Sequence, residues 1–295
     1  MRLRGAAVLL VFAAIAGQAT AANSRVSSWL VFSAALDNGT EGQQLFRVRV
    51  DGSGLEQISF GRKIAQDPEF SPNGKRVVFT RLGEGLFVIN VDGSGLRRLT
   101  PDGTDRAPAW SRDGQRITFL RSYKNAYRVY VMRADGKRQR RLFYAPAPAG
   151  RPSWTPAGRI LVPAMASPNT PRLVEIGAGD GHVKKRFPFS LRTRSLEANP
   201  AISPNGRFVA WIDLRACQDC ESWSLYLGSA SGHSARRLAD DTGPPSWSPD
   251  STRLAYVQRG AIELQSASTG RVETLPADLE RLALVPTGAP SWQPS

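Results

Sequence analysis

The stretch Pro245-Ser-Trp-Ser-Pro-Asp250, which runs on into Arg253-Leu-Ala-Tyr-Val257, decides the fold of this chain. It predicts a short strand, a tight turn and a second strand. Pro249 suits the first central position of a type I turn because its ring fixes the φ angle, and Asp250 suits the position that follows. The same phrase recurs along the chain, so this unit is repeated.

The repeat has the period of a propeller blade. Its copies begin at Pro68, Pro108, Pro152, Pro200, Pro245 and Pro290, and successive prolines lie between 40 and 48 residues apart. In the first copy, short segments rich in Val, Ile and aromatic residues predict strands at 69–71, 76–80, 86–91 and 96–100. A period of about 40–45 residues with four strands per unit is typical of a β-propeller.

The two ends of the chain indicate how the ring closes. The first unit contains only the second to fourth strands, at 29–32, 45–50 and 55–59, and the chain finishes on an unpartnered first strand at 290–292. We therefore expect an all-β, six-bladed propeller of four-stranded blades, in which the C-terminal strand completes the N-terminal blade and removes exposed sheet edges. The alternative, an open sheet with six turns, leaves Trp292 and one incomplete blade unexplained.

The recurring Pro-x-Trp-Ser-Pro-Asp-Gly phrase resembles the TolB-like, WD-type propeller repeat family, and the resemblance covers nearly all of the chain after residue 22. It implies a non-catalytic scaffold that binds a protein or peptide partner in the cell envelope. The family's namesake carries a separate α/β domain before its propeller, and we expect no such domain before Trp29 here. Related blades also stand in front of prolyl-oligopeptidase-type hydrolases, so the repeat alone does not fix a function.

The first 22 residues have the features of a secretory signal peptide. Arg2 and Arg4 precede an apolar segment at 6–16, and Ala19-Thr-Ala21 offers a small-x-small cleavage site. An uncleaved anchor is the alternative, although the apolar segment is shorter than the roughly 20 residues of a membrane span. We expect residues 23–295 to form one exported propeller domain, periplasmic or extracellular, that does not span the membrane.

The chain is strongly basic, with a formal net charge of +14. Part of this excess lies on predicted fourth strands, for example at Arg97-Arg98 and Lys184-Lys-Arg186. Charge on these outer strands protects sheet edges against strand addition, and it also attracts an acidic protein, an anionic lipid or a wall polymer. An exported location makes nucleic acid a poor candidate for the partner, and no aromatic residues interleave with the basic runs as stacking platforms would.

Two cysteines, Cys217 and Cys220, lie in a predicted enlarged loop between two strands. In an exported protein, such a pair favours a local disulfide. The alternatives are a redox pair, which has no βαβ context here, and a metal site, which needs more ligands than the chain offers. The two histidines, His182 and His233, occupy equivalent turns of consecutive blades, so they cannot readily share one metal.

The sequence predicts no enzyme. It contains no Gly-x-Ser-x-Gly elbow and no glycine loop that leads into a helix. The Asp-Gly-Ser-Gly turns at 51–54 and 92–95 lack the alternating ligands and closing glutamate of a calcium loop. We therefore predict no catalytic, cofactor-binding or metal-binding residues.

Binding is the remaining activity, and it is expected where the longer connections lie. The loops from fourth to first strands and from second to third strands share one end of the ring, whereas the opposite end consists of short turns with little room for specificity. Tyrosine and arginine suit a protein interface. The predicted partner-binding residues are Arg62, Arg106, Arg121, Tyr123, Lys124, Tyr127, Arg151, Arg192, Arg194 and Arg215, with Lys63 beside them.

Three hypotheses follow for the function. The first is a TolB-like envelope scaffold for an acidic protein or peptide. The second is a hydrolytic or accessory protein that acts on envelope peptides or glycans. The third is adhesion to anionic lipid or wall polymer through the basic rim, which predicts binding that collapses with salt.

Overall fold

A computed structural model describes residues 28–36, 42–124, 126–146, 150–167, 170–190, 198–217, 220–232, 234–277, 279 and 284–294. The proposed signal peptide, together with Arg192, Arg194 and His233, lies outside the described residues. Within the described part of the chain, all regular structure is β-strand.

The strands form six four-stranded antiparallel sheets, which are the blades of the propeller. Blade 1 consists of β24 (Leu284–Trp292), β1 (Trp29–Leu36), β2 (Gln44–Arg49) and β3 (Glu56–Gln57). Blade 2 consists of β4 (Ala65–Phe70), β5 (Arg76–Arg81), β6 (Gly85–Asn90) and β7 (Arg97–Arg98). Blade 3 consists of β8 (Asp105–Trp110), β9 (Arg116–Tyr123), β10 (Ala126–Arg133) and β11 (Arg140–Pro146).

The remaining blades repeat the same order. Blade 4 consists of β12 (Ser153–Trp154), β13 (Ile160–Ser167), β14 (Thr170–Ile176) and β15 (Val183–Ser190). Blade 5 consists of β16 (Ala201–Ile202), β17 (Phe208–Cys217), β18 (Cys220–Ser229) and β19 (Ala235–Asp240). Blade 6 consists of β20 (Ser246–Trp247), β21 (Arg253–Gln258), β22 (Ala261–Ser266) and β23 (Val272–Thr274).

The expected closure of the ring is confirmed. The last strand, β24, pairs with β1 so that Trp292 lies opposite Leu30 and Ser291 opposite Val31. The Gln293 amide also donates to the Trp29 carbonyl at 2.8 Å. The C-terminal strand is therefore the innermost strand of the N-terminal blade, and the two ends of the chain hold one sheet together.

The hydrophobic core is divided into six clusters, one at each interface between neighbouring blades. Successive strand residues point to opposite faces of a sheet. Val77 therefore packs in the cluster between blades 1 and 2, while Val78 packs in the cluster between blades 2 and 3. This alternation explains why the second strand of each unit is apolar at consecutive positions.

The tryptophans of the repeat connect neighbouring blades. Trp154 donates its indole N–H to the Ala109 carbonyl of the preceding blade at 3.0 Å, and Trp247 donates to Ala201 at 2.9 Å. The arginine that begins a second strand stacks on the tryptophan of the following blade: Arg76 on Trp110 at 5.2 Å, Arg116 on Trp154 at 4.8 Å and Arg253 on Trp292 at 5.3 Å. The repeated phrase therefore encodes the contact between blades as well as the turn.

Cations of the outer strands form a second set of inter-blade contacts. In each of four cases, a fourth-strand side chain donates to a backbone carbonyl in the next blade. These bonds join Arg97 to Asp135 at 3.1 Å, Arg140 to Gly179 at 2.5 Å, Lys185 to Ala230 at 2.7 Å and Arg236 to Ala267 at 2.9 Å. Part of the basic rim therefore has a structural role that the sequence did not indicate.

Candidate functional site

Strands run longer than expected at the loop-rich end of the ring, which changes the setting of several predicted residues. Arg121 and Tyr123 belong to β9, Tyr127 to β10 and Arg106 to β8, so they lie on strand ends rather than in loops. Arg215 lies in β17, and its side chain is not described. Arg62 and Lys63 do lie in a connection, between β3 and β4, and both are exposed.

The loops of blades 1 to 3 form one continuous surface at this end. The Leu82 amide donates to the Ile64 carbonyl at 2.9 Å, which joins the β5–β6 turn to the loop that carries Phe60 and Arg62. A Cβ atom on Gly103 would lie 2.4 Å from the Gly83 carbonyl oxygen, so that turn also abuts the loop before β8. Thr104 in the same loop donates its hydroxyl to the Ser122 carbonyl at 3.3 Å.

This surface carries Phe60 and Leu82, two apolar side chains that the sequence did not predict, beside the predicted Tyr123. Phe60 is 65% exposed and Leu82 47%, both on the joined loops, and Tyr123 at the end of β9 is 50% exposed. Such large apolar side chains in solvent are informative when they cluster. We call this set, with the cations Arg62, Lys63, Lys124 and Arg128, the loop patch.

Stacked cations hold the β9–β10 hairpin of the loop patch. The Arg128 guanidinium lies 3.9 Å from the centre of the Tyr123 ring, and the Lys124 ammonium lies 5.7 Å from it. Arg106 lies 3.9 Å from the centre of the Tyr127 ring. Cation–π contacts of this kind fix the rings in place while leaving Tyr123 half-exposed.

Arg121 is engaged inside blade 3. Its guanidinium forms two hydrogen bonds with Asp105, at 2.6 and 2.7 Å, and lies 3.2 Å from Asp102. The bond from Asp105 raises the pKa of Arg121, whereas burial raises the pKa of Asp105 against the opposing effect of Arg121. The interactions of Arg121 therefore hold the loop before β8 in position.

Arg151 faces a central cavity of about 430 Å³ that runs between the innermost strands. Its Nη2 atom lies 2.5 Å from Glu69 Oε2 and also donates to the carbonyls of Pro68 and Pro108, at 3.4 and 3.2 Å. Glu69 in turn accepts from the Trp110 amide at 2.9 Å. Burial raises the pKa of Glu69, and the charge of Arg151 opposes this shift. The pair connects blades 2, 3 and 4 across the cavity wall.

A second arginine lies at the opposite end of the cavity. Arg112, between β8 and β9, donates from Nη2 to the Pro204 carbonyl of blade 5 at 2.9 Å. Burial lowers the pKa of Arg112. Both Arg112 and Glu69 were detectable from the repeat. Arg112 replaces the proline present at the equivalent position of the other five copies, and Glu69 replaces an alanine or serine.

The cysteine pair occurs in a different setting from the predicted loop. Strands β17 and β18 continue to Cys217 and Cys220, which are directly opposite each other in the backbone register. Directly opposed residues have Cα atoms about 4.5–5.5 Å apart, within the range that a disulfide spans. Their side chains are not described, so the disulfide stays a prediction.

Among the described residues, no group of three or more histidine, cysteine or acidic side chains is arranged to hold a metal ion. His182 contributes its backbone amide to a turn, where it donates to Asp180 at 3.0 Å. The described residues also contain no helix long and apolar enough to cross a membrane.

The geometry defines a six-bladed β-propeller with a basic, partly apolar loop surface at one end. The family described as "TolB beta propeller domain" matches residues 14–156 and 52–249, and the chain belongs to this family. It is similar to TolB from Acinetobacter baumannii, a solved structure, with a TM-score of 0.76 and 16% identity; the match covers 91% of this chain and 67% of that one.

Two curated proteins share only part of their length with this chain. The chain is 29% identical to the Tol-Pal system protein TolB of Anaeromyxobacter dehalogenans over 124 residues, which is 41% of this chain and 29% of that protein. It is 23% identical to Dipeptidyl-peptidase 5 of Porphyromonas endodontalis over 271 residues, which is 84% of this chain and 37% of that protein. The matched region thus spans about a third of the length of these relatives.

Proposed function

We propose that this chain is an exported, non-catalytic propeller of the cell envelope that binds an acidic protein or peptide through the loop patch. Membership of the TolB propeller family and similarity to a Tol-Pal system protein support the class of function. The observation that carries the proposal is the loop patch itself, where Phe60 and Leu82 on joined loops and Tyr123 at the end of β9 are exposed among four cations.

The chemistry of the loop patch fits a protein partner better than a simple polyanion. Exposed aromatic and aliphatic side chains gain free energy when a partner removes them from water, and they anchor interfaces at their centre. The surrounding cations favour an acidic partner and accelerate its approach. A polyanion would use the cations and leave the apolar side chains in solvent.

The test is a crosslinking pull-down from envelope extract with the mature protein at low and high salt. One variant carries Phe60→Ser and Leu82→Ser, and a second carries Arg62→Glu, Lys63→Glu and Lys124→Glu. The matched control carries Leu96→Ser and Val272→Ser, which are 46% and 44% exposed and lie outside the loop patch. We expect a discrete protein that survives salt to be lost with both patch variants and kept with the control.

Loss of the same protein from the control, or its retention by both patch variants, would refute the loop patch as the binding site. Adhesion to anionic lipid or polymer would instead be supported if high salt removes the captured material and only the charge-reversed variant fails to capture it. Mass spectrometry of the exported chain tests the leader, for which we expect a mature protein that begins at Asn23.

A second candidate is an accessory or hydrolytic role on envelope peptides, and the long match to a dipeptidyl-peptidase favours it. A screen of chromogenic peptide substrates distinguishes the two functions. Turnover by the purified chain would replace the scaffold proposal, and we expect none.

A further inference from the structure

The short-turn end of the ring contains a groove of about 620 Å³ that is lined by residues of blades 2 and 3. The short turns of the sequence predict little room for specificity at this end. Four arginines line the groove, together with Gln115, Ala134 and Asp135; they are Arg76, Arg97, Arg116 and Arg133. We call this set the arginine groove.

Three of these arginines are held in place by contacts described above. Arg76 and Arg116 stack on the tryptophans of the following blades at 5.2 and 4.8 Å, and Arg97 donates to the Asp135 carbonyl at 3.1 Å. Such anchoring limits the side-chain entropy that a ligand would have to remove. The arginine groove is therefore a preorganised set of donors.

The fourth arginine has no comparable structural role. Arg133 lies directly opposite Arg116 in the register of β9 and β10, and like charges in this position destabilise a sheet. Blade 2 places Asn90 opposite Arg76, and blade 6 places Ser266 opposite Arg253. Blade 3 therefore departs from its neighbours by adding a second positive charge where folding would favour a neutral residue.

The local carboxylates neutralise these charges in part. Asp135 Oδ2 lies 3.7 Å from Arg133 Nε, and Asp113 Oδ2 lies 3.9 Å from Arg116 Nη2. Both pairs are exposed, and such pairs stabilise a fold only weakly. Four guanidinium groups against two carboxylates leave two positive charges, which a doubly charged phosphate neutralises.

We propose that the arginine groove binds a phosphomonoester, either as a soluble phosphate or as the headgroup of an anionic lipid. Guanidinium groups recognise phosphate oxygens through paired, charge-assisted hydrogen bonds. A phosphate between Arg116 and Arg133 also removes their mutual repulsion. This binding lies at the opposite end of the ring from the loop patch and does not depend on it.

The test measures the affinity of the purified full chain for inorganic phosphate by calorimetry, and for phosphatidylcholine vesicles with and without phosphatidic acid by sedimentation. The variant Arg133→Ser introduces the residue type that blade 6 carries at the equivalent position. The matched control is Arg253→Gln, which removes a tryptophan-stacked arginine between blades 6 and 1. We expect Arg133→Ser to weaken phosphate binding about tenfold, as loss of a charge-assisted bond does, and the control to leave it unchanged.

A second readout separates ligand binding from a structural role. Without phosphate, we expect Arg133→Ser to raise the melting temperature by about 1–3 °C because the opposed charges are gone. A fall in melting temperature would make Arg133 a structural residue and would overturn the proposal. An equal loss of affinity in Arg253→Gln would overturn it too, since diffuse positive potential would then explain the binding.

The vesicle arm identifies the source of the phosphate. Sedimentation with phosphatidic acid that Arg133→Ser abolishes assigns the groove to a lipid headgroup. Phosphate binding in calorimetry without vesicle sedimentation assigns it to a soluble phosphate. Absence of both kinds of binding in the unmodified chain refutes the site.

Discussion

Ser251 shows how a single residue departs from the repeated turn. In the other turns between the first and second strands of a blade, a glycine adopts a positive φ, as Gly74 does at 67°. Ser251 adopts a φ of 64° although it has a side chain. Non-glycine residues in this region are strained by about 1–2 kcal/mol. The Ser251 hydroxyl offsets part of that cost because it accepts from the Asn205 amide of blade 5 at 3.0 Å.

The two substitutions Ser251→Ala and Ser251→Gly separate these effects. Alanine keeps the strain and loses the hydrogen bond, so we expect it to lower the free energy of unfolding by about 1 kcal/mol. Glycine loses the hydrogen bond but relieves the strain, so we expect a change within about 0.5 kcal/mol. Urea denaturation of both variants provides the measurement. Equal losses in the two variants would show that backbone strain at this turn is negligible.

At the scale of the element, the closing strand β24 replaces the missing first strand of blade 1. Trp292 packs with Leu30 and Ile262 between blades 6 and 1, as Trp110 packs with Val78 and Ile117 between blades 2 and 3. Both tryptophans are buried and both carry a stacked arginine. The closing interface should therefore be as stable as an interior one.

We expect Trp292→Ala and Trp110→Ala to lower the free energy of unfolding by similar amounts, about 3–5 kcal/mol each, because each opens a large cavity in an inter-blade cluster. Chemical denaturation gives both values, and Leu96→Ala, at an exposed position, serves as the control with a small change. A much smaller loss for Trp292→Ala than for Trp110→Ala would mean that β24 frays and that the ring is not effectively closed.

The elements also show what a single sequence could predict. Period, strand identity and ring closure were predictable because each copy of the phrase places tryptophan, turn and apolar strand at the same spacing. The strand ends were predicted less accurately because pairing extends β9, β10, β17 and β18 beyond their apolar cores. This extension moved Tyr127 and Arg215 from expected loops onto strands.

The contacts that cations of the outer strands make with the next blade were outside the reach of a sequence pattern. The outward charge of Arg97 or Arg236 identifies an edge strand, but its bond to a carbonyl in the next blade depends on the angle between sheets. The apolar part of the loop patch was missed for a related reason. Phe60 and Leu82 come together only because neighbouring connections abut at one end of the ring.

At the scale of the whole molecule, the Glu69–Arg151 pair connects three blades around the central cavity. The Glu69 side chain is 25% exposed and that of Arg151 is 15% exposed, so solvent screens the pair only partly. Removal of Arg151 leaves a largely buried carboxylate without its cation. We expect Arg151→Gln to lower the free energy of unfolding by on the order of 2 kcal/mol at neutral pH, which is less than the loss of one partner from a fully buried pair.

The pH dependence of this loss tests the origin of the effect. Burial raises the pKa of Glu69 in the folded state above its ordinary value of 4.5, so the folded protein holds the proton longer than the unfolded chain does. The contribution of Glu69 to the free energy of unfolding is therefore fully present below pH 4.5 and is lost as the pH rises through the folded-state pKa. Without Arg151, the pKa of Glu69 rises further, and the loss of stability continues to higher pH.

Urea denaturation should show that Arg151→Gln lowers the free energy of unfolding more at pH 7 than near pH 4.5. In the double variant with Glu69→Gln, this pH dependence should disappear. If Arg151→Gln lowers the free energy of unfolding equally at both pH values, the charge of Glu69 does not account for the effect. The contribution of Arg151 to the ring would then come from its hydrogen bonds to the Pro68 and Pro108 carbonyls.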